Sequence, residues 1–241
     1  MNEWLTDHLI SCANEIPESA EGHCLGRGLP FRLLREMQVG VWFLPDRDAP
    51  DPIFSKRYGS RGSGLDGWIS VPMWSPRGKI VGVEFRCWGG EKGSQKFFLP
   101  ESRWLPVFTG LVPSVLNRIW KGADVWLVEG LFDLTVTHAI PSKDVALACG
   151  GAKITPNQLT FLQRFMSDKA WVHVCFDMDE TGQNMAHGYI HPDTGKRVWG
   201  VSERLAHAGM NARVVQYRGG KDPGEIWDSG GSEALRSALT L

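Results

Sequence analysis

The residues of this 241-residue chain whose spacing could do chemistry are carboxylates. Glu129 directly follows the apolar run VWLV (125–128), and Asp133 comes one helical turn later. Asp177 and Asp179 directly follow WVHVCF (171–176), with Gly182 close behind, and Asp222 sits in GGKDPGE after ARVVQY (212–217). Taken singly, each acid has an ordinary role as a helix N-cap or a first-turn dipole partner. Gathered at one locus they would repel and raise each other's pKa. A hard divalent cation resolves that conflict: Mg²⁺, or Mn²⁺, takes carboxylate oxygens together with water and phosphate oxygens. The chemistry indicated is cation-assisted work on a phosphate.

The acids converge only if the runs before them are neighbouring strands. VWLV, VALAC (145–149), WVHVCF and ARVVQY are short and apolar, and helical patterns separate them: EGLFDLTVTHAI, ITPNQLTFLQRFM and a helix opening at ETGQNMAHG. Wholly apolar strands alternating with helices predict a parallel sheet covered on both faces, whose C-terminal edge collects functional groups. Thr155 reads as an N-cap, with Pro156 in the first helical position. Upstream, residues 2–14 and Phe31 to Met37 read as short helices, and Pro45 to Asp66 as a long basic loop. WISVPMW and IVGVEFRCW, joined at SPRGK, predict a β-hairpin, with KFFLP as a further strand. The fold class expected is α/β: a parallel sheet flanked by helices, preceded by a smaller mixed α+β basic subdomain, with the junction near residue 123.

Composition narrows the function classes. With 42% hydrophobic and 22% charged residues, the chain is of globular type. Its apolar runs are too short to span a bilayer, and the start MNEWLTDHLISCANEIPE lacks the positive and apolar regions of a secretory signal. Five scattered cysteines without a CxxC pair argue against a disulfide framework or a four-cysteine zinc site, so a reducing, cytoplasmic location is expected. The net charge of −1 hides an asymmetry. Residues 1–23 carry five acids and no Lys or Arg, residues 24–123 carry 15 basic against 8 acidic side chains, and residues 124–241 carry 11 against 14. A basic middle beside an acidic C-terminal half is the pattern of a polyanion platform next to a cation site.

EGLFD (129–133), DMDETG (177–182) and KDPGE (221–225), in that order, resemble the Toprim domain, and more narrowly that of DnaG-type bacterial and phage primases. ACGGAKITPNQL (148–159) is similar to the turn and Thr-opened helix after that family's second Toprim strand. GRGLPFRLLREMQVG, ISVPMWSPRGKIVGVEFR and QKFFLPES stand where the family has its RG-start helix, its hairpin and its Lys-bearing strand. The resemblance implies a catalytic core that makes short RNA primers from ribonucleoside triphosphates on single-stranded DNA. Glu129, Asp177 and Asp179 would hold Mg²⁺, with Asp133 and Asp222 supporting. Arg27, Arg86 and Lys96 would form the ridge for template and triphosphates, with Arg77 and Lys79 on the hairpin turn as weaker candidates. It divides the chain into an acidic helical segment (1–23), a basic subdomain (24–123), the Toprim domain (124–218) and a short C-terminal segment (219–241).

The chain departs from the family's pattern in places. Gly224 replaces the second Asp of its DPD motif, with Glu225 next. HGYIHPDTGKRVWG (187–200) reads as an inserted hairpin whose His187 and His191 flank a turn and do not share a ligating helix face. No Cys/His set has metal spacing, and His23 beside Cys24 reads as structural, so zinc is not expected. A replicative helicase or a zinc-bearing protein would then act in trans. Among the 11 tryptophans, Trp42, Trp68, Trp74, Trp88 and Trp104 fall in the basic block, where core packing is the leading role and base stacking the alternative. Two other functions share the acids: a Toprim-type nuclease, and a non-catalytic single-stranded-DNA-binding module derived from a primase.

Overall fold

Burial of short apolar runs organises the molecule. The computed structural model describes residues 2–42, 67–87, 94–98 and 107–239; the basic loop, Trp88 and Trp104 lie outside these. VWLV forms β5 (Val125–Val128), all four residues of it fully buried. It pairs in parallel with β6 (Val145–Ala148) on one side and β7 (Trp171–Val174) on the other, and β7 pairs with β10 (Asn211–Val214), giving the order β10-β7-β5-β6. All four strands run the same way, so the residues after Val128, Val174 and Val214 come out along one edge. The expected parallel sheet and its helical flanks are present.

The N-terminal half packs on the same core. Helices α1 (Asn2–Asn14), α2 (Glu18–Gly26) and α3 (Phe31–Met37) precede an antiparallel sheet of β1 (Gly40–Val41), β2 (Ile69–Trp74), β3 (Ile80–Arg86) and β4 (Ser94–Phe98). β2 and β3 are the predicted hairpin, and β4 is the KFFLP strand displaced slightly toward the N-terminus. Isolated bridges Trp74↔Phe108 and Thr109↔Ala148 stitch this sheet to the parallel one. One buried cluster accordingly runs from Cys24, Leu29 and Met37 through Ile69 and Val71 to Val125–Val128, Leu147 and Val174.

Local capping sets where helices begin. In α5 (Pro156–Phe165) the Thr155 hydroxyl accepts from Gln158 N–H at 3.2 Å, and Gln158 Oε1 accepts from Thr155 N–H at 2.8 Å. The Gln158 amide also donates to the Val107 and Cys149 carbonyls at 2.6 and 3.1 Å, which fixes the β6 exit to the linking segment. The remaining helices are α4 (Pro113–Trp120), α6 (Glu180–His187), α7 (Val201–His207) and α8 (Pro223–Ala238), the last broken at Gly230 and Gly231. The inserted hairpin is β8 (Gly188–Ile190) with β9 (Arg197–Trp199).

Some details differ from the expectation. EGLFDLTVTHAI forms a 3₁₀ helix (Leu131–His138) in place of an α-helix. Asp133 reaches back to Gly130 N–H at 2.8 Å, and the β-branched run Thr135-Val136-Thr137 resists the α rotamers. α2 went unread because ESAEGHCLG has no amphipathic period, and α8 because its interior is rich in Gly and Ser. Trp42, 1% exposed, packs edge-on against Phe85 with ring centroids 5.3 Å apart, so its role is core packing. Truncating the centre of the parallel sheet by Leu127→Ala should cost about 2–5 kcal/mol, read as a fall in the urea unfolding midpoint at unchanged slope.

Candidate active site at the C-terminal edge of the parallel sheet

Asp133, Asp177 and Asp222 meet at this edge, each offering a carboxylate oxygen, and those oxygens all lie within 4.8 Å of one another. Asp133 is carried in by the 3₁₀ helix and is 8% exposed. Burial, then the Asp222 charge, push its carboxyl up to about 7. Asp177 leaves β7, and its carboxyl is raised by burial and by Asp222. Asp222 caps α8, accepting from Glu225 N–H at 2.7 Å. Glu129 lies beside this trio; its Oε1 accepts from Asp177 N–H at 3.0 Å, and burial pushes it up to about 7. Asp179 is the N-cap of α6, accepting from Gly182 N–H at 2.8 Å, and that bond together with Lys221 holds it below the usual carboxylate range. Gly182 is required by proximity: a Cβ there would stand 2.3 Å from the Asp177 carbonyl oxygen and 2.9 Å from Glu129 Oε1. A cavity of about 250 Å³ opens here, lined by Glu129, Asp133, Asp177 and Asp222 with Arg86, Gly150 and Gly151.

Two arginines from the basic half reach this rim. Arg86 ends β3 and donates from Nε to Glu84 Oε1 at 2.8 Å. Glu84 is wholly buried, and its other oxygen accepts from the Thr109 hydroxyl at 2.9 Å. Such a buried, fully bonded carboxylate aims the guanidinium and costs dearly if left alone. Arg27 pairs with Asp228 at 3.1 Å. Both guanidiniums lie over the ring of Phe132, Arg27 at 4.9 Å and Arg86 at 5.7 Å from its centroid, within cation–π range. His23 meets the same ring edge-on at 5.9 Å, a packing role as expected. Arg77 and Lys79 are exposed on the β2–β3 turn and do not line the cavity. Lys96 lies in β4, in register with Glu84 of β3.

Phe132 and Glu84 escaped the sequence reading. Phe132 sits inside EGLFD as an ordinary apolar residue, while Glu84, a lone acid in the apolar strand IVGVEFR, was a usable signal. Lys221 also escaped: its ammonium lies 3.4 Å from Asp177 Oδ2 and 3.1 Å from Asp179 Oδ2. The Gly224 departure has a steric account. A Cβ at that position would stand 3.2 Å from both Arg27 Nη2 and Asp222 Oδ1, and Glu225 turns back to cap Lys221 N–H. The site residues fit a hard divalent cation, being anionic oxygen donors that burial and mutual repulsion leave under-compensated. Asp124, Asp144 and His173 form a second cluster at the opposite end of the strands. There Arg213 Nε donates to His173 Nδ1 at 2.8 Å, leaving Nε2 to donate to Asp124 at 3.3 Å, while Asp144 Oδ2 accepts from Trp126 Nε1 at 3.4 Å and its Oδ1 is buried without a hydrogen-bond partner.

Residues 126–227 match the family of Toprim-like domains. The chain is 26% identical over 171 residues to a DNA primase of Clostridium acetobutylicum, covering 69% of this chain and 25% of that one. It is 25% identical over 173 residues to a DNA primase of Aquifex aeolicus, covering 71% and 32%. It thus spans about a quarter to a third of the length of these relatives. Among solved structures, a DnaG catalytic core superposes with a TM-score of 0.67 at 18% identity, over 97% of this chain and 76% of that one. Residues 126–227 thus resemble a Toprim-like domain in sequence, and the fold is that of a DnaG catalytic core. The resemblance to the catalytic core of DnaG-type primases holds.

The raised acids make stability depend on pH. Unfolded Asp and Glu titrate near 4, whereas Asp133 and Glu129 titrate near 7 in the fold. Between those values the folded chain holds more protons, so these groups cost stability as pH rises, with the full cost present above about 7. His173, which burial drives toward its neutral form, acts in the opposite sense in acid. Asp133→Asn isolates the carboxylate contribution. In chelator-treated buffer at pH 8 the variant should be more stable than wild type by roughly 1–3 kcal/mol, with the gap closing toward pH 5 in urea titrations.

Proposed function

We propose that this chain is a primase catalytic core that joins ribonucleotides into short RNA primers on a single-stranded DNA template. The observation that carries this reading is the meeting of acids from three strand exits with two arginines from the basic half on one aromatic ring. The reaction joins the 3′ oxygen of one nucleotide to the α-phosphorus of an incoming triphosphate and expels pyrophosphate. Such phosphoryl transfer asks a protein mainly for positioning and charge stabilisation.

In this reading Glu129, Asp177 and Asp179 hold Mg²⁺ or Mn²⁺, supported by Asp133 and Asp222. The bound cations supply activation of the attacking hydroxyl and shielding of the leaving pyrophosphate. Arg27 and Arg86 grip triphosphate oxygens, their directions set by Asp228 and Glu84 and their planes by Phe132. Lys96, with Arg77 and Lys79 farther out on the hairpin, tracks the template backbone. Residues 24–123 are thereby assigned to the polyanion, and residues 124–218 together with Asp222 to the chemistry. A replicative helicase or a zinc-bearing protein is the partner expected to bring the core to its start sites, in the cytoplasm of a bacterial or phage-infected cell.

Incubation with mixed-sequence single-stranded DNA, labelled ribonucleotides and Mg²⁺ should give short RNA from wild type and none from Asp177→Ala, with DNA binding nearly intact in the variant. DNA degradation would instead identify a Toprim-type nuclease. DNA binding without product, even after addition of a helicase, would identify a non-catalytic module. Lys96→Ala should weaken DNA binding evenly across sequences and reduce the log–log salt slope by about 1.

A further inference from the structure

Lys221 stands where the opposed charges of the rim are most exposed. Its ammonium bridges Asp177 and Asp179, the two acids that come from one strand exit. The backbone beneath it is pinned independently of the side chain. The Lys221 carbonyl accepts from Met178 N–H at 2.7 Å and from the Tyr217 hydroxyl at 3.0 Å, and its N–H is capped by Glu225. The side chain, by contrast, is 53% exposed, so a displaced ammonium returns to water at little cost. The two arginines of the rim are already committed, Arg86 to Glu84 and Arg27 to Asp228. Among the described residues, Lys221 is the cation that ion-pairs with Asp177 and Asp179.

From this placement we infer that Lys221 is a tethered counter-cation that a divalent ion must displace to reach Asp177 and Asp179, and that it thereby sets the cation concentration at which the site loads. Resting on the cation-binding reading above, it adds a positioning residue with a defined sign. One unit charge held on a flexible stem offsets part of the repulsion in the empty rim. Entry of a divalent ion breaks both ion pairs, and the loss is recovered only because two charges replace one on fixed oxygens. Lys221 therefore weakens cation binding while it protects the unloaded fold.

The test is Mn²⁺ binding to the full chain, followed as loss of the free-ion electron paramagnetic resonance signal and by titration calorimetry, without nucleotide or DNA. Wild type, Lys221→Met, Lys221→Arg and Asp177→Asn are compared, with circular dichroism verifying that each is folded. Lys221→Met should bind the same number of ions roughly three- to tenfold more tightly, as removal of one partly exposed competitor predicts. Lys221→Arg, which keeps the charge, should stay near wild type, and Asp177→Asn should lose the ion. Equal or weaker binding by Lys221→Met, with wild type binding normally, overturns the inference and leaves the cation site standing. Absence of binding by wild type and Lys221→Met alike, or undiminished binding by Asp177→Asn, overturns the cation-site reading and the inference together.

Discussion

Repulsion among carboxylates is the constraint around which this molecule is arranged. Three aspartate oxygens within 4.8 Å of one another, with Glu129 and Asp179 beside them, form a locally unfavourable charge distribution in the fold. Four of the five acids are tied down by a bond that does not cancel their charge: Asp133 to Gly130 N–H, Glu129 to Asp177 N–H, Asp179 and Asp222 to the first turns of α6 and α8. N-capping is well suited to this task, since it fixes a carboxylate's position while the helix dipole tolerates its charge.

What makes the arrangement affordable is the buried sheet beneath it. β5, β6 and β7 are apolar along almost their whole length, and their burial into one continuous cluster supplies the rigid platform from which the acids emerge. The antiparallel half contributes more than surface. Its strand β3 ends in Arg86, and the buried Glu84 converts a long flexible side chain into a directed one. Phe132 then serves as a shared face for Arg27 and Arg86, so the cations are ordered by stacking as well as by ion pairs. The two arginines thus approach the acidic rim while each is ion-paired elsewhere, Arg27 with Asp228 and Arg86 with Glu84.

The Gly224 departure illustrates how neighbouring residues set what a motif position can be. With Arg27 Nη2 and Asp222 Oδ1 both 3.2 Å from where a Cβ would stand, a larger residue would require these side-chain ends to give by a few tenths of an ångström. Glu225, the next acid along, is directed to the Lys221 amide and closes the first turn of α8. The motif is read correctly only as a three-dimensional set.

Much of the site and fold was legible in the residues alone. Apolar runs of four to six residues separated by helical periods define parallel strands, and acids placed directly after them must emerge on one edge, because side-chain and strand direction follow from covalent geometry. Thr155 followed by Pro156 likewise marks a helix start by local hydrogen bonding. The contacts that depend on which surfaces meet were decided by the tertiary structure. Local pattern carries no information on Phe132 lying under two arginines that are distant in sequence, on Glu84 bonding Thr109, or on Lys221 swinging across Asp177 and Asp179. The 3₁₀ path of residues 131–138 is of the same kind, since it follows from Asp133 closing on Gly130 where the chain enters a crowded core. Periodicity and capping are properties of neighbours along the chain, whereas charge compensation is a property of neighbours in space.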